Sequence, residues 1–209
     1  MPNTGLGEVI FDRNLSFMTR WHQKPNMGFP ESMAEHAGWV QRIVMYLASE
    51  YKAHGGEEEI DWRLLYETAQ THDDPEQLTG DIPGSFKANA PEAAEQIMGW
   101  ELAAVQHLFG GLTSGDVFRS QVDDFIRNRS KRLEFQMIHI ADKLTALSYA
   151  HTQVLMGNTL FNRVRQSIAM EALGLFKQYG WFKVIDSGDD SLHQYIWKLA
   201  HGDQTPWAP

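Results

Sequence analysis

The sequence predicts an all-α fold. Three observations lead there: apolar residues recur at spacings of three and four through most of the chain, capping residues and glycine pairs bracket those runs, and strand-like stretches are confined to short runs such as residues 181–185. In chain order, Ser32-Met33-Ala34-Glu35 reads as a capping box, with Met33, Ala37, Val40, Val44 and Leu47 forming one apolar face behind it. Gly55-Gly56 ends that helix. Asp61 can cap the next, on which Leu65, Ala69 and His72 share a face, and residues 79–84 read as a turn or loop. Pro91 suits the first turn of a helix that runs through Ile97, Glu101, Ala104 and Leu108 to Gly110-Gly111. The strongest stripe is Leu133, Met137, Ile140, Leu144 and Leu147, and further helices are expected around 160–179 and 190–201. The tail from 202, with two prolines, reads as irregular. No repeat or low-complexity linker divides the chain, so residues 1–209 are expected to form one compact helical domain.

Composition narrows the function classes. A chain of 209 residues with 43% apolar content can bury a sizeable core. Having no cysteine, it has no disulfide, thiol nucleophile or thiolate metal ligand, so any metal must be held by His, Asp and Glu. A formal charge of −9 disfavours binding to a nucleic-acid backbone, but not to a small anion met by a local metal and a few cations. The opening MPNTGLGEVIFDR lacks the basic and apolar regions of a signal peptide, and no stretch approaches the ~20 apolar residues of a membrane span. A cytoplasmic location without membrane contact is expected.

Four residues then stand out. His36 follows a capping box, His72-Asp73 ends a predicted helix, and Asp142 lies on the helix carrying the strongest stripe. Each falls on or beside an apolar face, where an unpaired charge is costly. A shared divalent cation removes that cost, and imidazole with carboxylate suits Mn²⁺, Co²⁺ or Zn²⁺. Packed helices bring such residues to one point. Taken alone, an HD dipeptide is common by chance and reads more readily as a surface pair at a helix C-terminus.

The surrounding text adds to this. The segment His72-Asp73-Asp74-Pro75-Glu76-Gln77-Leu78-Thr79-Gly80-Asp81-Ile82-Pro83 is similar to the HDxxExxTGDxP signature of the HD-domain 5′-deoxynucleotidases, the YfbR-like branch of the HD superfamily. Arg20-Trp21 followed by Glu35-His36 resembles their RW…EH pair, and Ala141-Asp142-Lys143-Leu144 resembles their AD-x-L motif. The resemblance spans about 20–156 and extends to phage enzymes that remove triphosphate from dATP. It implies an HD-domain helical bundle whose motif-bearing core is followed by the C-terminal helices of 160–201. The implied chemistry is hydrolysis at the 5′-phosphate of a deoxynucleoside monophosphate, with dNTP triphosphohydrolysis as the rival activity and a non-catalytic metal-binding module as the rival of another class. It implies one divalent metal on His36, His72, Asp73 and Asp142, with Glu76 and Asp81 as the catalytic carboxylates. Which of the two handles which proton stays open. Arg20 is implied for phosphate and Trp21 for the sugar, with Gln23 beside them. Lys87 is a further phosphate candidate, and the loop 84–90 is placed to close over the site. Where relatives often carry Lys three residues before the last Asp, this chain has His139, a weaker partner for a polyphosphate. Relatives imply a homo-oligomer, a dimer or higher, and a phage-encoded chain would work in its host's cytoplasm. His22, His54, His107, His151, His193 and His201 show no ligand spacing, although His22 follows Trp21 towards the base pocket. The run 127–132 reads as a solvated turn or helix start. Trp181, Phe182, Tyr195 and Trp197 read as core, or as a subunit interface, with core the preferred reading.

Overall fold

In the computed structural model, the structure describes residues 14–22, 24–28, 30–82, 84–186 and 191–203. The central element is α8 (Leu133–Leu155), with Leu133, Met137, Ile140 and Leu147 buried and Leu144 partly so. It is covered on several sides: α2 (Met33–Ala53), α3 (Trp62–Thr71) and α9 (Asn162–Gln178) all pack against it. All five stripe residues of α2 are buried, and Val40, Val44 and Leu47 join the main core. The capping residues act as expected, with Ser32 Oγ accepting from the Glu35 amide at 3.1 Å and Asp61 Oδ1 from the Leu64 amide at 3.0 Å. α11 (Leu192–Ala200) lies on α9.

A second small apolar cluster forms where α6 (Pro91–Phe109) meets α7 (Gly115–Asn128), around Val105, Phe109 and Val122. α7 was not expected. Its apolar stripe is narrow, with Val122 and Phe125 buried among Asp116, Arg119, Asp123, Asp124 and Arg127, so polar residues mask the period. The run 127–132 spans the end of α7 and the turn into α8, with Arg129 over the Phe125 ring and Arg132 over Phe135.

Two expectations need correction. Residues 79–84 are only in part a loop: α4 (Glu76–Thr79) precedes it, ended by Gly80 at φ 77°, and α5 (Gly84–Asn89) follows, where a closing loop was expected. Residues 181–185 are not a strand but contain α10 (Phe182–Ile185), whose Phe182 ring stacks on Phe176 at 3.8 Å. Burial of a bulky pair against α9 overrides the local β preference. Trp181 and Phe182 are core, Tyr195 is partly buried, and Trp197 is 51% exposed. α1 (Asn14–Phe17) leads to an antiparallel pairing in which Thr19 bridges Ser32, tying the chain ahead of α2 to its N-terminus. Among the described residues, no helix is long and apolar enough to cross a membrane.

Candidate metal centre and cleft

The packing of α2, α3 and α8 brings the four expected residues together. His36, in the first turns of α2, is fully buried, and its Nε2 lies 3.1 Å from Asp142 Oδ1 and 3.6 Å from Asp73 Oδ2. His72 caps the C-terminus of α3. Its Nδ1 donates to the Ala69 carbonyl at 2.9 Å, which turns Nε2 towards Asp73 Oδ1 at 3.3 Å. Ligand atoms of His36, His72 and Asp73 lie within 4.8 Å of one another, and Asp142 joins them through its contact with His36.

Charges around this point are unbalanced. Arg20 donates to Asp73 Oδ2 at 3.0 Å and is also surrounded by Asp142, Asp81 and Glu76, so its pKa is raised even though burial opposes the charge. His36 is pushed down by burial and by Arg20, but Asp142 and Glu31 more than offset this and raise it to about 9. Burial pushes Asp73 up, and His72, Arg20 and His36 outweigh it, leaving the carboxyl below its usual range. Asp142 likewise lies well below that range despite burial, held there by His36 and Lys143. His72 is lowered by burial, so its ring stays neutral, and its buried Nε2 has no hydrogen-bond partner. A neutral imidazole with an orphaned nitrogen, beside ionised carboxylates that attract positive charge, is the donor set a divalent transition metal requires. The residues fit the metal.

Glu76 opens α4 just beyond this cluster. Burial raises its pKa well above the carboxylate range, and Asp73 and Asp81 add to the effect against Arg20 and Lys87. Its Oε2 is buried without a partner, and that environment favours the protonated form.

A cleft of about 390 Å³ opens beside the cluster. Asp142, Arg20, Trp21, His22 and Asp81 line its inner side, and Lys24, Lys143 and Arg163 add positive charge. Val164, Ser167, Ile168 and Glu171 of α9 form the far wall, with Ala146 of α8 beside them. Trp21 reaches the cleft from a sharp corner at φ 63°, the one non-glycine positive φ among the described residues. Such backbone costs about 1–3 kcal/mol and persists only where its surroundings hold it. Here the ring stacks on Tyr149 at 5.7 Å, meets Phe161 edge-on, and donates from Nε1 to Glu31 at 3.2 Å.

Two other expected residues, Lys87 and His139, are not among those that line the cleft. Lys87 donates to Glu101 at 2.6 Å, near enough to Glu76 to lower its pKa. His139 Nδ1 pairs with the Tyr179 hydroxyl at 3.0 Å, and burial pushes the ring down to about 4. Gln23 lies outside the described residues. Sequence reasoning missed Glu31 and the cationic and α9 side of the cleft. No motif marks Glu31, and α9 lies beyond the span of the resemblance.

The folds of solved proteins place this architecture. A protein of Pyrococcus horikoshii, PH0347, superposes with TM-score 0.69 at 22% identity, covering 94% of this chain and 99% of its own. An HD-domain phosphohydrolase of Listeria innocua gives 0.69 at 20%, covering 95% and 99%. A conserved hypothetical protein of Pyrococcus furiosus gives 0.69 at 23%, covering 94% and 99%. No curated protein matches the sequence. A match of residues 10–178 to a family model, together with this fold and cluster, defines the class, a metal-dependent phosphohydrolase of the HD type. Residues 10–178 match the model of the YfbR-like 5′-deoxynucleotidases, and the chain belongs to that family.

Proposed function

We propose that the protein hydrolyses the 5′-phosphate ester of deoxynucleoside monophosphates, yielding deoxynucleoside and phosphate. The observation that carries this reading is the Arg20–Trp21 corner, which enters the same cleft as Asp142 and Asp81. A guanidinium there matches phosphate oxygens in a fork, and an indole beside it leaves a ribose 2′-hydroxyl without a partner. His36, His72, Asp73 and Asp142 would hold one divalent metal, Mn²⁺, Co²⁺ or Zn²⁺, which when bound supplies Lewis acidity and a more acidic water.

The chain's own groups handle the protons. Asp81 orients the attacking water and accepts its proton as the P–O bond forms. Glu76, protonated through burial and its anionic neighbours, gives its proton to the 5′-oxygen as the P–O5′ bond breaks. Both carboxylates exchange protons with solvent before the next turnover. Arg20 holds the non-bridging oxygens.

A second reading, release of triphosphate from a dNTP such as dATP, is favoured by Lys24, Lys143 and Arg163 on the cleft, charge that a single phosphate does not need. Assay of phosphate, pyrophosphate and triphosphate release across dNMPs and dNTPs separates the two. Phosphate from dNMPs alone supports the first reading, and triphosphate from dNTPs replaces it with the second. With the better substrate, Glu76→Gln should keep metal and nucleotide affinity while losing most turnover. If calorimetry shows nucleotide binding lost as well, Glu76 is a binding group and the proton assignment fails.

A further inference from the structure

The metal cluster and the Arg20–Trp21 corner meet at one residue that no motif marks. Glu31 sits just ahead of the α2 cap and is 4% exposed. Its backbone carbonyl accepts from the Arg20 amide at 2.8 Å, across the pairing that joins residues 18–20 to 31–33. Its Oε2 accepts from Trp21 Nε1 at 3.2 Å and lies 3.7 Å from Arg20 Nε. Its Oε1 faces His36 Nδ1 at 3.6 Å. His36 Nδ1 and Arg20 Nε are both buried and have no hydrogen-bond partner, and both face this carboxylate.

We propose that Glu31 is a positioning residue that couples metal binding to the substrate corner. One oxygen holds the proton of His36 on Nδ1, and the other anchors Trp21 and Arg20. The proposal deepens the reading of Arg20 and Trp21 as substrate residues and rests on it. Glu31 is not itself a ligand of the cluster. It stands on the Nδ1 side of the His36 ring, whereas Asp73 and Asp142 meet Nε2. With the proton on Nδ1, Nε2 presents a lone pair to the metal and the ring cannot rotate away. The requirement is specific to a carboxylate, because it accepts at both oxygens whereas a carboxamide accepts at only one. In Glu31→Gln, the NH₂ must face either His36 Nδ1, reversing the tautomer, or Trp21 Nε1, opposing two donors.

The test uses the full-length chain, with Mn²⁺ titrated by calorimetry and the Trp21 indole N–H followed in ¹H–¹⁵N spectra, assigned through Trp21→Phe. Glu31→Gln should lose one of the two interactions. Either Mn²⁺ affinity falls about ten- to a hundred-fold, or the indole signal moves away from its wild-type position. Glu50→Gln, which removes an exposed charge from the same helix, should leave both unchanged. If Glu31→Gln folds and keeps both, the proposal is overturned. Where that variant does not fold, long-range ¹H–¹⁵N spectra of the Zn²⁺-loaded wild type decide. A proton on His36 Nδ1 is expected, and a proton on Nε2 overturns the proposal. None of these measurements uses a nucleotide, so an error in the substrate assignment leaves their outcome untouched.

Discussion

At the residue scale, Trp21 and His139 make opposite use of burial. The Trp21 ring is held by Tyr149 and Phe161 and also lines the cleft. A 2′-hydroxyl pressed against it loses its hydrogen bonds at a cost of roughly 1–3 kcal/mol, or about five- to a hundred-and-fifty-fold in relative efficiency. Trp21→Ala should therefore shrink the ratio of kcat/KM for dAMP over AMP (dATP over ATP if triphosphates are the substrates), with absolute rates falling for both. An unchanged ratio would make Trp21 a packing residue. His139 has turned away from any charged role. With its pKa lowered from 6.5 to about 4, it is neutral where its Lys counterpart would be positive. On acidification the unfolded chain binds this proton first, so the stability is complete above pH 6.5 and is lost as pH falls towards 4. Urea unfolding of wild type should weaken by roughly 3 kcal/mol more over that interval than His139→Gln. Parallel profiles would assign the acid lability to other groups.

At the element scale, α8 does more than carry Asp142. Its C-terminal half holds the irregular segment that follows Trp21. Gln153 Oε1 accepts from the Met27 amide at 2.8 Å, and its Nε2 donates to the Met27 carbonyl at 3.0 Å. Asn158 donates to the Pro25 carbonyl, and the Tyr149 hydroxyl to Asn26. A segment without a ladder of its own takes its shape from these bonds. Gln153→Leu should destabilise the fold by about 1–3 kcal/mol for each buried backbone group left unpaired. KM should rise more than kcat falls, since the corner is loosened while the cluster is untouched. Steady-state kinetics alongside urea denaturation checks this, and an unaltered KM would mean that the corner is ordered by its aromatic contacts alone.

At the scale of the whole molecule, the candidate metal residues come from α2, α8 and the turn that caps α3, so an ion on them would act as a clasp across the core. A ligand that binds only the folded state stabilises it by RT ln(1 + [L]/Kd), about 2.7 kcal/mol at a hundred-fold excess over Kd. Dialysis against a chelator should lower Tm by several degrees, and Mn²⁺ should restore it. His72→Ala and Asp73→Ala should show neither response and no metal by elemental analysis. A variant lacking Asp73 that retains full metal content would remove it from the ligand set.

The sequence by itself determined the all-α class and most helix boundaries, which are written in local periodicity and caps, and its separated motifs named His36, His72 and Asp73, which the fold brings together. His36, His72 and Asp142 could be named as a set since each sits on or beside a helix stripe that must turn inward. α7 and α10 escaped, one through a narrow apolar stripe and the other through a β-prone run that tertiary packing overrode. Only the tertiary structure decided the orientation of His36 between Glu31 and Asp142, the burial that raises the pKa of Glu76, the pairing of His139 with Tyr179, and the wall that Lys143 and Arg163 add to the cleft. These depend on distances between side chains from different elements and on the burial that sets their charge. A linear pattern shows which face of a helix turns inward; what that face meets is settled by the angle at which the next helix crosses it.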